Sequence, residues 1–135
     1  MVLIWLNKAD EDLMAGNLLL GEGTFFLNVV ASQAQQAAEK YLKGYLTWRQ
    51  KFFPKSHDLK ILLNLLAETD PQITSELKEI VKLTSYVITA RYAEDISAIS
   101  LGQAEEAIAL AKKAEGAIIS ALPAEITLRR RIHDK

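Results

Sequence analysis

Arg91 and Tyr92 stand side by side between two apolar stretches, a pairing that suits a phosphorylated ligand. A guanidinium binds a phosphate through two parallel hydrogen bonds, and a tyrosine ring stacks on a base. Glu94 and Asp95 follow closely and offer Arg91 an ordinary local ion pair as the alternative. His57 lies at a helix start beside Asp58. An imidazole can pass protons near neutral pH or contact a nucleotide through either nitrogen, and it can equally be a packing residue that fixes the loop after Pro54. Lys40 and Lys43 are three apart on one helix face, where two ammonium groups can hold a phosphate. Glu39 and Lys43 also have the favoured order for an exposed i,i+4 ion pair. The final stretch, Leu128 to Lys135, carries Arg129, Arg130 and Arg131 and reads either as a reach toward a phosphate backbone or as a charged chain end.

Other chemistries lack their residues. The sequence has no cysteine, hence no thiolate nucleophile, disulfide or cysteine-bound zinc. Its two histidines are far apart, and there is no glycine-rich phosphate loop or serine-histidine-aspartate pattern, so no metal and no cofactor is expected. Net charge is −1, so affinity for nucleic acid must come from a local patch and not from the field of the whole domain. At 135 residues, 50% hydrophobic and 24% charged, the chain fits one folded domain with a real core. Asn7, Lys8 and Asp10 interrupt the apolar N-terminus, leaving it too short for a signal core or a membrane span. A cytoplasmic protein without a membrane partner is the expectation.

The elements that must position these residues are helical. Residues 2 to 20 place Leu6, Ala9, Leu13 and Leu20 on one face, with Asp10, Glu11 and Asp12 toward solvent, and Gly21 and Gly23 end that helix. A central helix follows and runs toward Pro54, with Val30, Ala34, Ala37, Ala38, Tyr41 and Tyr45 as its buried stripe and Gln36, Glu39, Lys40, Lys43 and Thr47 opposite. The alanines let a second helix approach closely. Ser56 can cap a third helix with Leu59, Leu62, Leu63 and Leu66 buried. Asp70-Pro71 opens a fourth, with Ile73, Leu77, Ile80, Thr84 and Val87 on its stripe, and Ser100 to Gln103 has capping-box form before a fifth that ends near Pro123. Strand-like alternation is missing. The fold class predicted is all-α, an antiparallel helical bundle of about five helices over residues 1–123, followed by a short basic C-terminal tail over 124–135.

Gln35-Gln36-Ala37-Ala38-Glu39-Lys40-Tyr41-Leu42-Lys43 resembles the signature helix of the HEPN superfamily, the higher eukaryotes and prokaryotes nucleotide-binding domain. Ala9 to Leu13, His57-Asp58-Leu59 and Ala90-Arg91-Tyr92 are similar to further family segments, in the family's order. The resemblance lies toward the nucleotidyltransferase-associated branch, although Ala93 stands where that branch usually has proline. It implies a nucleotide or RNA ligand, a homodimer, and often a separately encoded minimal nucleotidyltransferase as partner in a toxin-antitoxin-type pair. HEPN ribonucleases usually carry a histidine about four to six residues after the arginine. With about four to six residues between, those positions after Arg91 hold Ile96, Ser97 and Ala98, so no catalytic residue is assigned and the expectation is a non-catalytic module. The alternatives are a metal-independent endoribonuclease that uses Arg91 and His57, and a structural homodimer without ligand. The expected nucleotide-binding residues are Arg91, Tyr92, His57, Lys43 and Lys40. Of these, Lys43 is free to lie at a different pole of the bundle from Arg91, Tyr92 and His57.

Overall fold

Leu6, Ala9 and Leu13 recur every three or four residues along α1 (Val2–Leu20), and this buried stripe lies against α2 (Leu27–Trp48). In the computed structural model the backbone is described for residues 1–92 and 99–130, and side chains for 1–88 and 99–130. The turn between α1 and α2 contains Gly23 at φ 79°, and it reverses the chain so that the two helices run antiparallel. Glycine sets the helix separations at two places. A Cβ on Gly44 would lie 3.2 Å from Cβ of Trp5, and one on Gly16 would lie 3.0 Å from Cδ1 of Ile108 and 3.2 Å from Cβ of Gln33.

After the loop through Pro54 comes α3 (Leu59–Ala67), which buries Leu59, Leu62, Leu63 and Leu66 as their spacing predicts. Its cap is Asp58, whose carboxylate accepts from the Lys60 amide at 2.9 Å. Ser56, the residue expected to cap, acts earlier: its hydroxyl accepts from the Asp58 amide. The fourth helix predicted from Pro71 is divided into α4 (Pro71–Leu77), a 3₁₀ turn (Lys78–Val81) and α5 (Lys82–Tyr92). Leu77, Ile80 and Leu83 explain the break, since they are fully buried at a constant spacing of three, which suits a tighter helix better than 3.6 residues per turn. Finally α6 (Leu101–Ala121) opens on the expected capping box of Ser100 and Gln103, and the short α7 (Ala124–Thr127) follows Pro123.

Cross-links fix the directions. The Tyr45 hydroxyl donates to Asp70 at 2.9 Å, and Thr84 lies 3.5 Å from the Gln35 side-chain oxygen, so the run from α4 to α5 travels back along α2. Ile108 faces Gly16 near the end of α1, whereas Glu115 and Asp10 share Arg130, so α6 is antiparallel to α1 as well. The result is an all-α antiparallel bundle with α2 at its centre, and no strand occurs among the described residues. Because helices surround it, α2 buries more than its alanine stripe. Leu42 and Leu46 are fully buried, and Gln35, Glu39 and Lys43 are buried too, although the sequence pattern places Glu39 and Lys43 on the water-facing side.

Candidate functional site

Glu39 joins the most unusual polar arrangement in the bundle. Its Oε1 accepts from Lys43 Nζ at 2.8 Å and lies 2.9 Å from Nδ1 of His57. Glu39 and Lys43 are 4% and 7% exposed, while the His57 side chain is 88% exposed, so a buried carboxylate reaches outward to grip a ring in solvent. An ionised carboxylate only accepts, so Nδ1 carries the proton of this bond and Nε2 is left facing outward. A second bond holds the same loop: Gln35 Nε2 donates to the His57 carbonyl at 2.8 Å. The other oxygen of Glu39 is buried without a partner among the described residues.

Lys43 is not the exposed cation its sequence position suggests. Its ammonium lies 5.5 Å from the ring centre of Trp5 and 5.8 Å from that of Phe53, two rings that meet edge to face at 6.0 Å. Burial against aromatic faces is tolerable for a cation that keeps a carboxylate at hydrogen-bond distance. Lys40 points elsewhere and pairs with Asp12 of α1. The two lysines therefore do not converge on one phosphate.

The geometry also differs from the expected grouping. His57 and Lys43 share Glu39, so they belong to one cluster. Arg91 and Tyr92 end α5, and their side chains lie outside the described residues. The Arg91 backbone is two turns beyond Thr84, about 10 Å along the axis, and α5 runs away from the Glu39 level of α2. Gln35 lies between, with its amide on the His57 loop and its oxygen toward Thr84.

The basic tail is engaged where it is described. Arg130 donates to both oxygens of Asp10, at 2.6 and 3.0 Å, and to Glu115 at 2.7 Å. Asp10 also accepts from the Tyr41 hydroxyl at 2.5 Å; burial first, then that bond, pushes the Tyr41 phenol far above its ordinary range. Arg130 is raised too, chiefly by its bond to Asp10. Arg131 and His133 lie outside the described residues.

A separate cleft of about 570 Å³ opens between the start of α4 and the end of α6, lined by Tyr45, Asp70, Pro71, Ile73, Glu76 and Ala117 among others. No basic residue lines it and two carboxylates do, which makes it a poor phosphate site. Among the described residues no group of three or more His, Asp or Glu could hold a metal ion, and no helix is long and apolar enough to cross a membrane.

A two-faced reading of α2 misses the roles of Glu39 and Gln35. Glu39, Leu42, Lys43 and Leu46 repeat at helical spacing, a second stripe beside the alanine one, and this was the available signal.

Comparison with known proteins gives the arrangement its family. The chain is similar to TT1696 from Thermus thermophilus, whose crystal structure superposes with a TM-score of 0.75 at 31% identity, covering 90% of this chain and 98% of that one. No curated protein matches. The family model of the HEPN domain matches residues 2–118, a span that holds α1 through most of α6 together with Glu39, Lys43, His57 and Arg91, and the chain therefore belongs to the HEPN domain family.

Proposed function

We propose that this chain is a nucleotide- or RNA-binding HEPN module whose ligand lies across the loop before α3, the Gln35 and Glu39 level of α2, and the end of α5. The observation that carries the reading is His57, a ring 88% exposed yet tied through Nδ1 to a buried carboxylate. Such an anchor adds little to the core, whereas a ligand would meet a ring already oriented. In this reading Arg91 takes a phosphate and Tyr92 a base, Lys43 acts by holding Glu39, and Lys40 stays with Asp12 at the margin. Because the Arg91 backbone and the Glu39 level lie on opposite sides of Gln35, we favour RNA of several nucleotides over a mononucleotide.

The bundle of residues 1–123 would carry this activity as a homodimer, beside a separately encoded minimal nucleotidyltransferase. That partnership is what the resemblance toward the nucleotidyltransferase-associated branch implies, and the missing histidine after Arg91 suits a non-catalytic member of such a pair. Titration of ATP and of short RNA into wild type, Arg91→Ala and His57→Ala at fixed salt tests the reading. A charge-assisted bond is worth about 1.5–3 kcal/mol, so Arg91→Ala should weaken binding by about tenfold or more. Equal affinity in wild type and Arg91→Ala removes Arg91 from the site, and no binding by wild type rejects the reading.

One observation favours a second reading, that of a metal-independent endoribonuclease. A carboxylate on Nδ1 fixes the tautomer and leaves Nε2 free to take a proton, the arrangement a general base needs. RNA cleavage without divalent metal that is lost in His57→Ala, with the helical circular dichroism unchanged, would replace the first reading by this one.

A further inference from the structure

Phe52 is 98% exposed, the most solvent-exposed large hydrophobic among the described residues, and no other described ring stacks on it. It sits in the loop between α2 and α3, five residues before His57. The charge around it is one-sided: from Trp48 to Lys60 the chain carries Arg49, Lys51, Lys55 and Lys60 against Asp58 alone, in a protein of net charge −1. Two of these cations are already used, Arg49 on Asp70 and Lys51 on Glu68 and the Leu65 carbonyl. Lys55 and Lys60 are exposed and pair with no carboxylate among the described residues.

The other highly exposed phenylalanine shows what this setting adds. Phe25 is 84% exposed, but it packs edge to face on Phe26 at 4.8 Å, nearby Glu22 is acidic, and no basic residue follows until Lys40. Exposure of an aromatic ring is thus shared by two loops, whereas exposure of an unpartnered ring among free lysines belongs to one. A ring that stacks on any base, flanked by cations that follow a backbone, is the general chemistry of single-strand recognition. A duplex keeps its base faces covered and would not use the ring.

We propose that the loop from Arg49 to Lys60 is a single-stranded RNA contact in which Phe52 stacks on a base and Lys55 and Lys60 hold flanking phosphates, leading the strand past His57. The inference rests on the RNA-binding reading above and names its ligand class. Phe52 and Lys55 are three residues apart, a span of at most about 11 Å, so neighbouring nucleotides can engage both. The loop is shaped locally by the Ser56 amide donating to the Pro54 carbonyl at 2.8 Å and by Gln35 on the His57 carbonyl.

The test is fluorescence anisotropy with the full chain and a labelled ten-nucleotide oligouridine, set against a duplex of equal length. Wild type should prefer the single strand, Phe52→Ala should weaken it by about fivefold or more, and Phe52→Trp should retain it. The Lys55→Ala, Lys60→Ala double variant should flatten the dependence of log affinity on log salt by about 1.4. Unchanged affinity in Phe52→Ala, with binding still lost in Arg91→Ala, overturns this inference and leaves the RNA-binding reading intact. Failure of wild type to bind RNA or nucleotide sinks both. Equal binding of single strand and duplex, or RNA binding unaffected by Phe52→Ala while a protein partner is released, assigns the ring another role and also overturns it.

Discussion

Replacing Lys43 with methionine removes the ammonium but keeps most of the stem that packs near Trp5 and Phe53. What it leaves behind is Glu39, 4% exposed, with one oxygen partnerless among the described residues and the other holding only His57. At 2.8 Å the two charges attract by about 6 kcal/mol at an effective dielectric of 20, and the desolvation of both ions offsets a good part of this. Loss of one partner from a buried pair costs about 3–5 kcal/mol, because the survivor has no solvent to replace it. An exposed i,i+4 pair of the same residues would lose only about 0.3–0.5 kcal/mol. The two descriptions of Lys43 therefore differ about tenfold in predicted energy.

Urea denaturation at pH 7 separates them. With a slope of about 2 kcal/mol per molar, a loss of about 4 kcal/mol moves the midpoint down by about 2 M. Glu39→Leu should cost a similar amount, since it strands the ammonium among the aromatic rings. The double variant Glu39→Leu, Lys43→Met should return to within about 1.5 kcal/mol of wild type, because an apolar pair of similar volume escapes the desolvation penalty. A midpoint shift under about 0.3 M for Lys43→Met, with additive single effects, would refute the buried pair.

Other consequences can be measured in the same way. Gln50 has φ 59° and ends α2, where its amide donates to the Thr47 carbonyl and the Lys51 amide to the Leu46 carbonyl, a cap that favours glycine; Gln50→Gly should raise stability by about 0.5–1 kcal/mol, and a lower midpoint would count against that assignment. Arg130→Met should cost about 2–4 kcal/mol by leaving Asp10 and Glu115 without their shared cation, and an unchanged thermal midpoint would show the tail contact to be idle. Burial, followed by the bond to Asp70, pushes Tyr45 up to about 12, so its neutral form favours the native state. That contribution is complete below about pH 10 and is lost as pH rises through about 12, about 1–2 kcal/mol in all once solvent screening is discounted. Stability measured in urea from about pH 9 to 12 should fall less steeply in Tyr45→Phe than in wild type, and parallel curves would contradict the shift.

How much of this was legible in the sequence depended on what each signal encodes. Glycine, proline and capping residues act within a few positions, so the helix order, the Ser100–Gln103 capping box and the leucine stripe of α3 followed directly. The break at Lys78–Val81 did not, because helical periods of 3.0 and 3.6 diverge little over one turn and only the burial of Leu83 in place of Thr84 separates them. The site was harder for a deeper reason. A two-faced pattern assumes that a helix packs on one side, and α2 is packed on more than one, so Glu39 and Lys43 read as facing water that is absent there.

That mismatch has a constructive side. A buried glutamate and lysine cost desolvation energy that leucine and methionine would avoid, so their presence in the centre of an alanine-lined bundle needs a return. Core packing alone does not supply it, since apolar side chains of similar volume would fill the same space without the desolvation cost. Holding His57 does: among the described residues Glu39 is the one whose side chain bonds to that ring, and Lys43 keeps Glu39 in place to do so. The pair makes sense as the foundation of an exposed imidazole, the ring that the proposed ligand would meet from outside the bundle. In the proposed reading the site starts at Glu39, a residue almost shut off from solvent, and passes through His57 to the loop whose exposed ring and free lysines lie next to it in the chain.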